Sequence, residues 1–252
     1  MKSILITGAT GGLGKAFTSY YDKDQNHLYL HGTSLDKLTK LKESLHCEVT
    51  LLPSDFSDIN QLHDFIKQIE PLHFDLVINN AGIGHYGPFD EMETDQIETM
   101  IDLNLKALTL IAHTVLQDMK SRRSGYLLNV GSVASYFPGP LMAQYYATKA
   151  YVLSLSSALH EEAKDYQVVV SCLCPGPTKT EFHDRAHIAT GSVLSSLFNG
   201  KPERVVQGGI RDLMKKKRVS LPGVGPKLSV FFSKLIPDGL FVSIMKNIQQ
   251  KR

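Results

Sequence analysis

Short apolar runs alternate along the chain with longer stretches whose apolar residues recur at helical spacing, from the first residues to about Ser220. The runs Ser3–Thr7, His27–His31, Val49–Leu52, Leu76–Asn79, Gly125–Val130, Val168–Cys172 and Arg218–Leu221 predict seven strands. Between them, Leu35–Ser44, Asn60–Ile69 and Thr94–Ser121 place apolar residues three and four positions apart, as amphipathic helices do. Asp75-Leu76-Val77-Ile78 is apolar at successive positions, so that strand is expected to be buried on both faces. Regular alternation of strand and helix predicts an α/β protein, a parallel sheet with helices on both sides. No repeat, low-complexity tract or polar linker divides the sequence, so one domain is expected over residues 1–252, with an apolar tail at 222–252 inside it.

Composition narrows the class. The 252 residues are 42% hydrophobic and 21% charged, as in an ordinary globular chain. The net charge of +2 argues against a dedicated nucleic-acid binder, which shows a strongly basic balance. Three cysteines, Cys47, Cys172 and Cys174, do not make a disulfide scaffold, and a reducing cytoplasm is the expected setting. Ile4-Leu5-Ile6 is too short an apolar run for a signal peptide. Leu228 to Met245 is rich in Phe, Leu, Val and Ile, but Lys234, Pro237, Asp238 and Gly239 interrupt it. It reads as two amphipathic pieces, not a membrane span.

The first strand runs into Thr7-Gly8-Ala9-Thr10-Gly11-Gly12-Leu13-Gly14 and then a helical stretch from Lys15. Glycines let a backbone approach a pyrophosphate closely, and a helix N-terminus offers N–H groups and a positive dipole. A phosphate-binding Walker loop does not fit, since Ala16 follows Gly14-Lys15. A glycine-rich turn without a ligand remains the alternative.

Further along stand Asn79-Asn80-Ala81-Gly82 after the fourth strand and Asn104 within a helical stretch. A mid-helix Asn is unfavourable unless its amide finds partners, so Asn104 is either functional or a satisfied core residue. The fifth strand ends in Val130-Gly131-Ser132, and Tyr145 and Lys149 follow at i and i+4 on one helix face. A nearby ammonium favours the phenolate and brings a tyrosine closer to useful acid–base range. Cys172, Cys174, His183 and His187 fit zinc spacing poorly, so no metal is expected. Lys215-Lys216-Lys217-Arg218 reads as a solvated helix end. Ser132 lacks the surrounding pattern of a hydrolase nucleophile.

Together, Thr7-Gly8-x3-Gly12-x-Gly14, Asn79-Asn80-Ala81-Gly82, Asn104, Ser132, Tyr145-x3-Lys149 and Pro175-Gly176-Pro177-Thr178-Lys179-Thr180 resemble the short-chain dehydrogenase/reductase family. The resemblance spans about 220 residues. It implies a Rossmann-type, doubly wound, mostly parallel seven-stranded sheet and an NAD(P)(H)-dependent oxidoreductase acting on a carbonyl or alcohol. It makes Tyr145 the general acid/base, Ser132 the group holding the substrate oxygen, and Lys149 the tyrosine's electrostatic partner and a ribose ligand. The resemblance also implies that Asn104 anchors a proton-relay water. It assigns cofactor contacts to Gly8, Thr10, Gly12, Leu13, Gly14, Asp55, Phe56, Asn80, Ala81, Gly82, Tyr145, Lys149, Pro175, Gly176, Thr178 and Thr180. It also implies a homodimer or homotetramer.

Gly32 stands where an acidic residue marks NAD selectivity, which leaves room for a 2′-phosphate and favours NADP(H), with NAD(H) possible. Thr33 and Ser34 are expected to bond that phosphate, unless they merely cap the next helix. Tyr136-Phe137-Pro138, Leu141-Met142, His85-Tyr86 and Phe182–Phe198 are expected to wall a mostly apolar substrate pocket. A catalytically silent NADP(H)-binding regulator is the rival reading. The apolar tail is expected to pack over Phe182–Phe198 and close the substrate site, with lipid anchoring the weaker option.

Overall fold

The computed structural model describes residues 1–178 and 200–250. Seven parallel strands form one sheet in the order β3-β2-β1-β4-β5-β6-β7. They are β1 (Lys2–Ile6), β2 (Asn26–Gly32), β3 (Glu48–Pro53), β4 (Leu76–Asn79), β5 (Gly125–Val130), β6 (Val168–Leu173) and β7 (Val219–Ser220). The all-parallel pairing matches the expected doubly wound topology. Alternation within β1 explains the layering: Ile4 and Ile6 enter one core with Phe17 and Leu28, while Leu5 enters the other with Phe65, Val77 and Ile111. Every side chain of β4 and β6 is buried, as strands covered on both faces require.

The helices are α1 (Gly12–Tyr21), α2 (Leu35–Glu43), α3 (Ile59–Ile69), α4 (Thr94–Ile101), α5 (Leu108–Arg122), α6 (Ala143–Ala163), α7 (Pro202–Met214), α8 (Val224–Leu235) and α9 (Asp238–Gln250). The single long helix expected from Thr94 is in fact two α-helices joined by a π-helical turn at Asp102–Ala107. One extra residue per turn rotates Asn104 out of helical register, and its amide bonds a neighbouring strand-end loop instead.

The tail departs from expectation in a second way. Pro226, Val230 and Phe241 are buried, but Val224, Leu228, Phe231, Phe232, Leu235, Leu240 and Ile244 are exposed. A helix lying on a globular surface covers one stripe only, so a helix apolar all round leaves its outer stripe uncovered. Phe182–Phe198, the expected floor for this tail, lies outside the described residues. No helix among the described residues is long and apolar enough to cross a membrane.

Candidate active site

The residues singled out by their spacing converge at the carboxyl ends of β1, β2, β4, β5 and β6, around a cavity of about 720 Å³. The sheet order reverses between β1 and β4, and this crevice is where open α/β sheets bind ligands. Thr7 fastens the first strand end to the fourth: its Oγ1 accepts the N–H groups of Asn80 and Ala81, each at 2.9 Å. Asn80 Nδ2 in turn donates to the carbonyls of Thr7 (2.9 Å) and Gly8 (3.2 Å).

The turn between β1 and α1 is drawn tight by glycine. Gly8 has φ of +63°, and a Cβ on Gly14 would lie 2.1 Å from the Gly8 carbonyl oxygen. Gly8, Thr10, Gly12 and Leu13 line the cavity, while Gly14 sits behind them and permits their approach. No side chain caps the N-terminus of α1. Its first N–H groups therefore suit an anionic ligand such as a pyrophosphate, and the turn fits a dinucleotide.

His31 braces this turn and was not singled out from the sequence. The Gly8 N–H donates to its Nδ1 at 3.2 Å, so Nε2 carries the ring proton and donates to the Ser54 carbonyl at 3.0 Å. The ring lies flat on Phe56, with centroids 3.8 Å apart and 4° between planes. Burial lowers its pKa to about 4, against the weaker opposing effects of the Ser54 bond and Asp55. The imidazole is neutral.

At the adenosine end the expected residues divide. Thr33 and Phe56 line the cavity. Ser34 is the N-cap of α2 and accepts the Lys37 N–H at 3.3 Å. Asp55 accepts from the backbone and hydroxyl of Ser57 and is not on the cavity wall. On the other side Pro175, Gly176 and Thr178 line the cavity, and Thr178 Oγ1 donates to the Gly176 carbonyl at 2.9 Å. Thr180 lies outside the described residues, as do His183 and His187.

Ser132, Tyr145 and Lys149 line the cavity together. Ser132 lies two residues beyond β5, and its hydroxyl accepts the Ala134 N–H at 3.1 Å and is hydrogen-bonded with Tyr145. Tyr145 and Lys149 share one face of α6, with Lys149 Nζ 5.8 Å from the tyrosine ring centre. Lys149 donates to the Val130 carbonyl at 2.9 Å, and burial lowers its pKa to about 8. Burial pushes the Tyr145 phenol above its ordinary value, with the Ser132 bond pulling the other way. At neutral pH the pair is therefore a neutral phenol beside an ammonium.

Asn104, almost wholly buried, does not line the cavity. Its Oδ1 accepts the Ile83 N–H and its Nδ2 donates to the Ile83 carbonyl, both at 2.9 Å. A third bond, Nδ2 to Thr148 Oγ1 at 3.0 Å, ties the π turn to α6 beside Lys149. Sequence spacing found this residue, but nothing in the sequence announced the π turn that aims it.

The remaining wall combines apolar Ile83, Met92, Met100, Leu103, Met142 and Tyr146 with polar Asp95, Gln96 and Thr99 of α4. Of the expected pocket residues, His85 and Met142 line it. Tyr86 and Phe137 instead hold α9, through a 2.6 Å bond from Tyr86 Oη to the Gln249 carbonyl and an edge contact of Phe137 with Phe241. Among the described residues no cluster of three or more potential metal ligands occurs.

Fold and crevice together define a Rossmann-type α/β protein with a polar triad facing a mostly apolar chamber. Residues 2–189 match the short chain dehydrogenase family, and the chain belongs to that family of oxidoreductases. It is 29% identical over 94% of its length to a very-long-chain 3-oxoacyl-CoA reductase-like protein of Arabidopsis thaliana, covering 77% of that protein. It is 31% identical to the very-long-chain 3-oxoacyl-CoA reductase of Anas platyrhynchos, over 68% of this chain and 58% of that one. Among solved structures, a short-chain dehydrogenase from Sphingobium yanoikuyae in complex with NADPH superposes with a TM-score of 0.83 at 26% identity, covering 95% of each chain.

Proposed function

We propose that the protein is an NADP(H)-dependent oxidoreductase that moves a hydride between nicotinamide and an apolar carbonyl or alcohol, with Tyr145 as general acid/base. The observation that carries this reading is the hydrogen-bonded Ser132–Tyr145 pair facing a mostly apolar chamber, with the Lys149 ammonium beneath it.

The glycine turn, Asn80-Ala81-Gly82 and Pro175-Gly176 would hold a dinucleotide along the strand ends, and Lys149 would reach its nicotinamide ribose. Such a cofactor supplies or accepts the hydride. The chain's own work is acid–base and positional. In reduction, Ser132 and Tyr145 hydrogen-bond the substrate carbonyl oxygen, and Tyr145 donates its phenolic proton to the oxygen as negative charge develops there. Lys149 stabilises the phenolate left behind. In oxidation the same phenolate removes the alcohol proton. Asn104 acts by fixing the Ile83 loop and α6, so that Tyr145 and Lys149 keep their relative positions.

Preference for NADP(H) rests on Gly32, which brings no carboxylate to the end of β2, and on Thr33 at the cavity wall. Ser34 accepts the Lys37 N–H as a helix cap and keeps its own hydroxyl proton to donate to a 2′-phosphate. The three free cysteines suit a reducing, cytoplasmic setting, and a homodimer or homotetramer is the proposed assembly.

The test is turnover of a panel of apolar ketones, 3-oxoacyl thioesters and secondary alcohols with NADPH. Tyr145→Phe should abolish turnover while retaining cofactor binding. Wild-type turnover by that variant would remove Tyr145 from the mechanism. No turnover by the native protein on any member, with NADPH bound, would favour a silent binder.

A further inference from the structure

The two tail helices have an inner and an outer side, and only the inner is accounted for. On the inner side, Pro226 of α8 packs against Gly176, where even a Cβ would meet the proline ring at 2.7 Å. Gln249 of α9 donates to Tyr146 Oη at 3.0 Å, and Tyr146 lines the cavity. The tail thus closes over the cavity's rim.

On the outer side, Val224, Leu228, Phe231 and Leu235 follow one another at i, i+4, i+7 and i+11, with Phe232 beside them. At roughly 100° per residue they form one stripe of α8, opposite the buried Pro226 and Val230. Their exposures run from 45% to 73%. Leu240 and Ile244 of α9 are exposed as well. Seven of the fifteen large apolar side chains exposed among the described residues therefore crowd into two short helices.

Charge identifies what such a surface would meet. Within α8 and α9 stand Lys227, Lys234 and Lys246 against a single Asp238, net +2, whereas residues 1–214 carry net −6. Lys227 and Lys234 lie one turn-pair apart along one border of the α8 stripe, both exposed. An apolar stripe with aromatic residues, bordered by lysines, is the pattern of a helix that lies in a lipid interface. The cytoplasmic leaflet supplies the opposite charge. The weighting differs from the sequence expectation because the structure turns the stripe outward, while Lys234 borders the stripe without interrupting it.

We propose that α8 and α9 dock the protein, in plane, on an anionic lipid surface, the apolar stripe inserted and Lys227 and Lys234 at the headgroups. The inner side of the same helices continues to close the cavity, so the site is held at the bilayer, where an apolar substrate of the kind proposed above partitions; that last clause rests on the proposed function, whereas the docking does not.

The experiment is sedimentation of the full chain with vesicles of pure phosphatidylcholine and of phosphatidylcholine with 30% phosphatidylglycerol, on the order of physiological anionic content. Binding is expected to the anionic vesicles, at least tenfold tighter than to the neutral ones, and to weaken with added salt. Phe231→Ser/Leu235→Ser, at two exposed sites, should reduce anionic-vesicle binding at least tenfold with melting temperature and NADPH binding unchanged. Lys227→Glu/Lys234→Glu should do so without altering the apolar stripe. Binding that survives both double variants, or no binding by the native chain, overturns the proposal. So does light scattering in which Phe231→Ser/Leu235→Ser converts an oligomer to a smaller species, because a second copy then covers the stripe. None of these readouts requires turnover, so failure of docking and failure of the proposed reaction are separately visible.

Discussion

The backbone N–H of Gly8 donates to Nδ1 of His31 at 3.2 Å, and that acceptor exists only while the imidazole is neutral. His31 has a folded pKa of about 4, below its unfolded value of about 6.5. Between those values the unfolded chain binds the extra proton, so the folded state loses stability as pH falls from about 6.5 to 4 and is at full strength above. The full difference is about 3 kcal/mol. His31→Phe should keep the stack on Phe56 but leave the Gly8 N–H without its acceptor, weakening NADPH binding about tenfold at pH 7. Denaturant titrations from pH 4 to 8 should show the native chain's acid slope reduced in the variant. An unchanged slope would move the acid sensitivity elsewhere.

Gly14 offers a sharper test of the turn. A methyl group there would sit 2.1 Å from the Gly8 carbonyl oxygen and 2.8 Å from Ala9 backbone atoms, neither of which can swing aside as a side chain would. Gly14→Ala should therefore displace the turn, with cofactor affinity falling at least a hundredfold and stability by about 1–3 kcal/mol. Calorimetric titration with NADPH and thermal melting measure the two effects separately.

The strands were legible because burial on both faces leaves nearly continuous apolar runs, as in Leu76-Val77-Ile78. Tyr145 and Lys149 were legible because i and i+4 on a helix is a local relation. His31 was not, because its partners Gly8 and Ser54 each lie 23 residues away and nothing local distinguishes it from a satisfied core histidine. Ser34 was legible in part: its hydroxyl accepts the Lys37 N–H, the helix-cap role its neighbours in sequence already offered, and its own proton stays available to a phosphate. The π turn at Asn104 and the outward stripe of α8 depend on which face each helix presents, and that is settled by packing beyond the helix.

Gly32 tests cofactor preference. Its missing Cβ would lie 3.3 Å from Thr10 Oγ1 and 3.5 Å from Leu38, so a side chain fits if Thr10 yields by a few tenths of an ångström. Gly32→Asp should bring a carboxylate toward the place of a 2′-phosphate and reverse the ratio of NADPH to NADH affinity by at least tenfold. Repacking around Thr10 should cost about 1 kcal/mol. Parallel titrations with both reduced cofactors decide it. A native chain that binds NADH as tightly as NADPH would already contradict the preference.

Lys149 is a buried ammonium whose retention costs stability. Its folded pKa of about 8 lies below the unfolded value of about 10.4, so between them the unfolded chain holds more protons and stability rises with pH. Conversely, at pH 7 the folded protein bears the desolvation of a charge that a methionine of similar length would avoid. Lys149→Met forfeits the bond to the Val130 carbonyl, about 1 kcal/mol, but removes a burial cost of about 3 kcal/mol. The cofactor-free variant should therefore melt a few degrees higher at pH 7, and lack the native chain's gain in stability between pH 8 and 10. Turnover should fall by about 10²–10⁴, because the Tyr145 phenolate then has no neighbouring cation. A variant that is both less stable and fully active would show that Lys149 serves packing and not the acid–base chemistry of Tyr145.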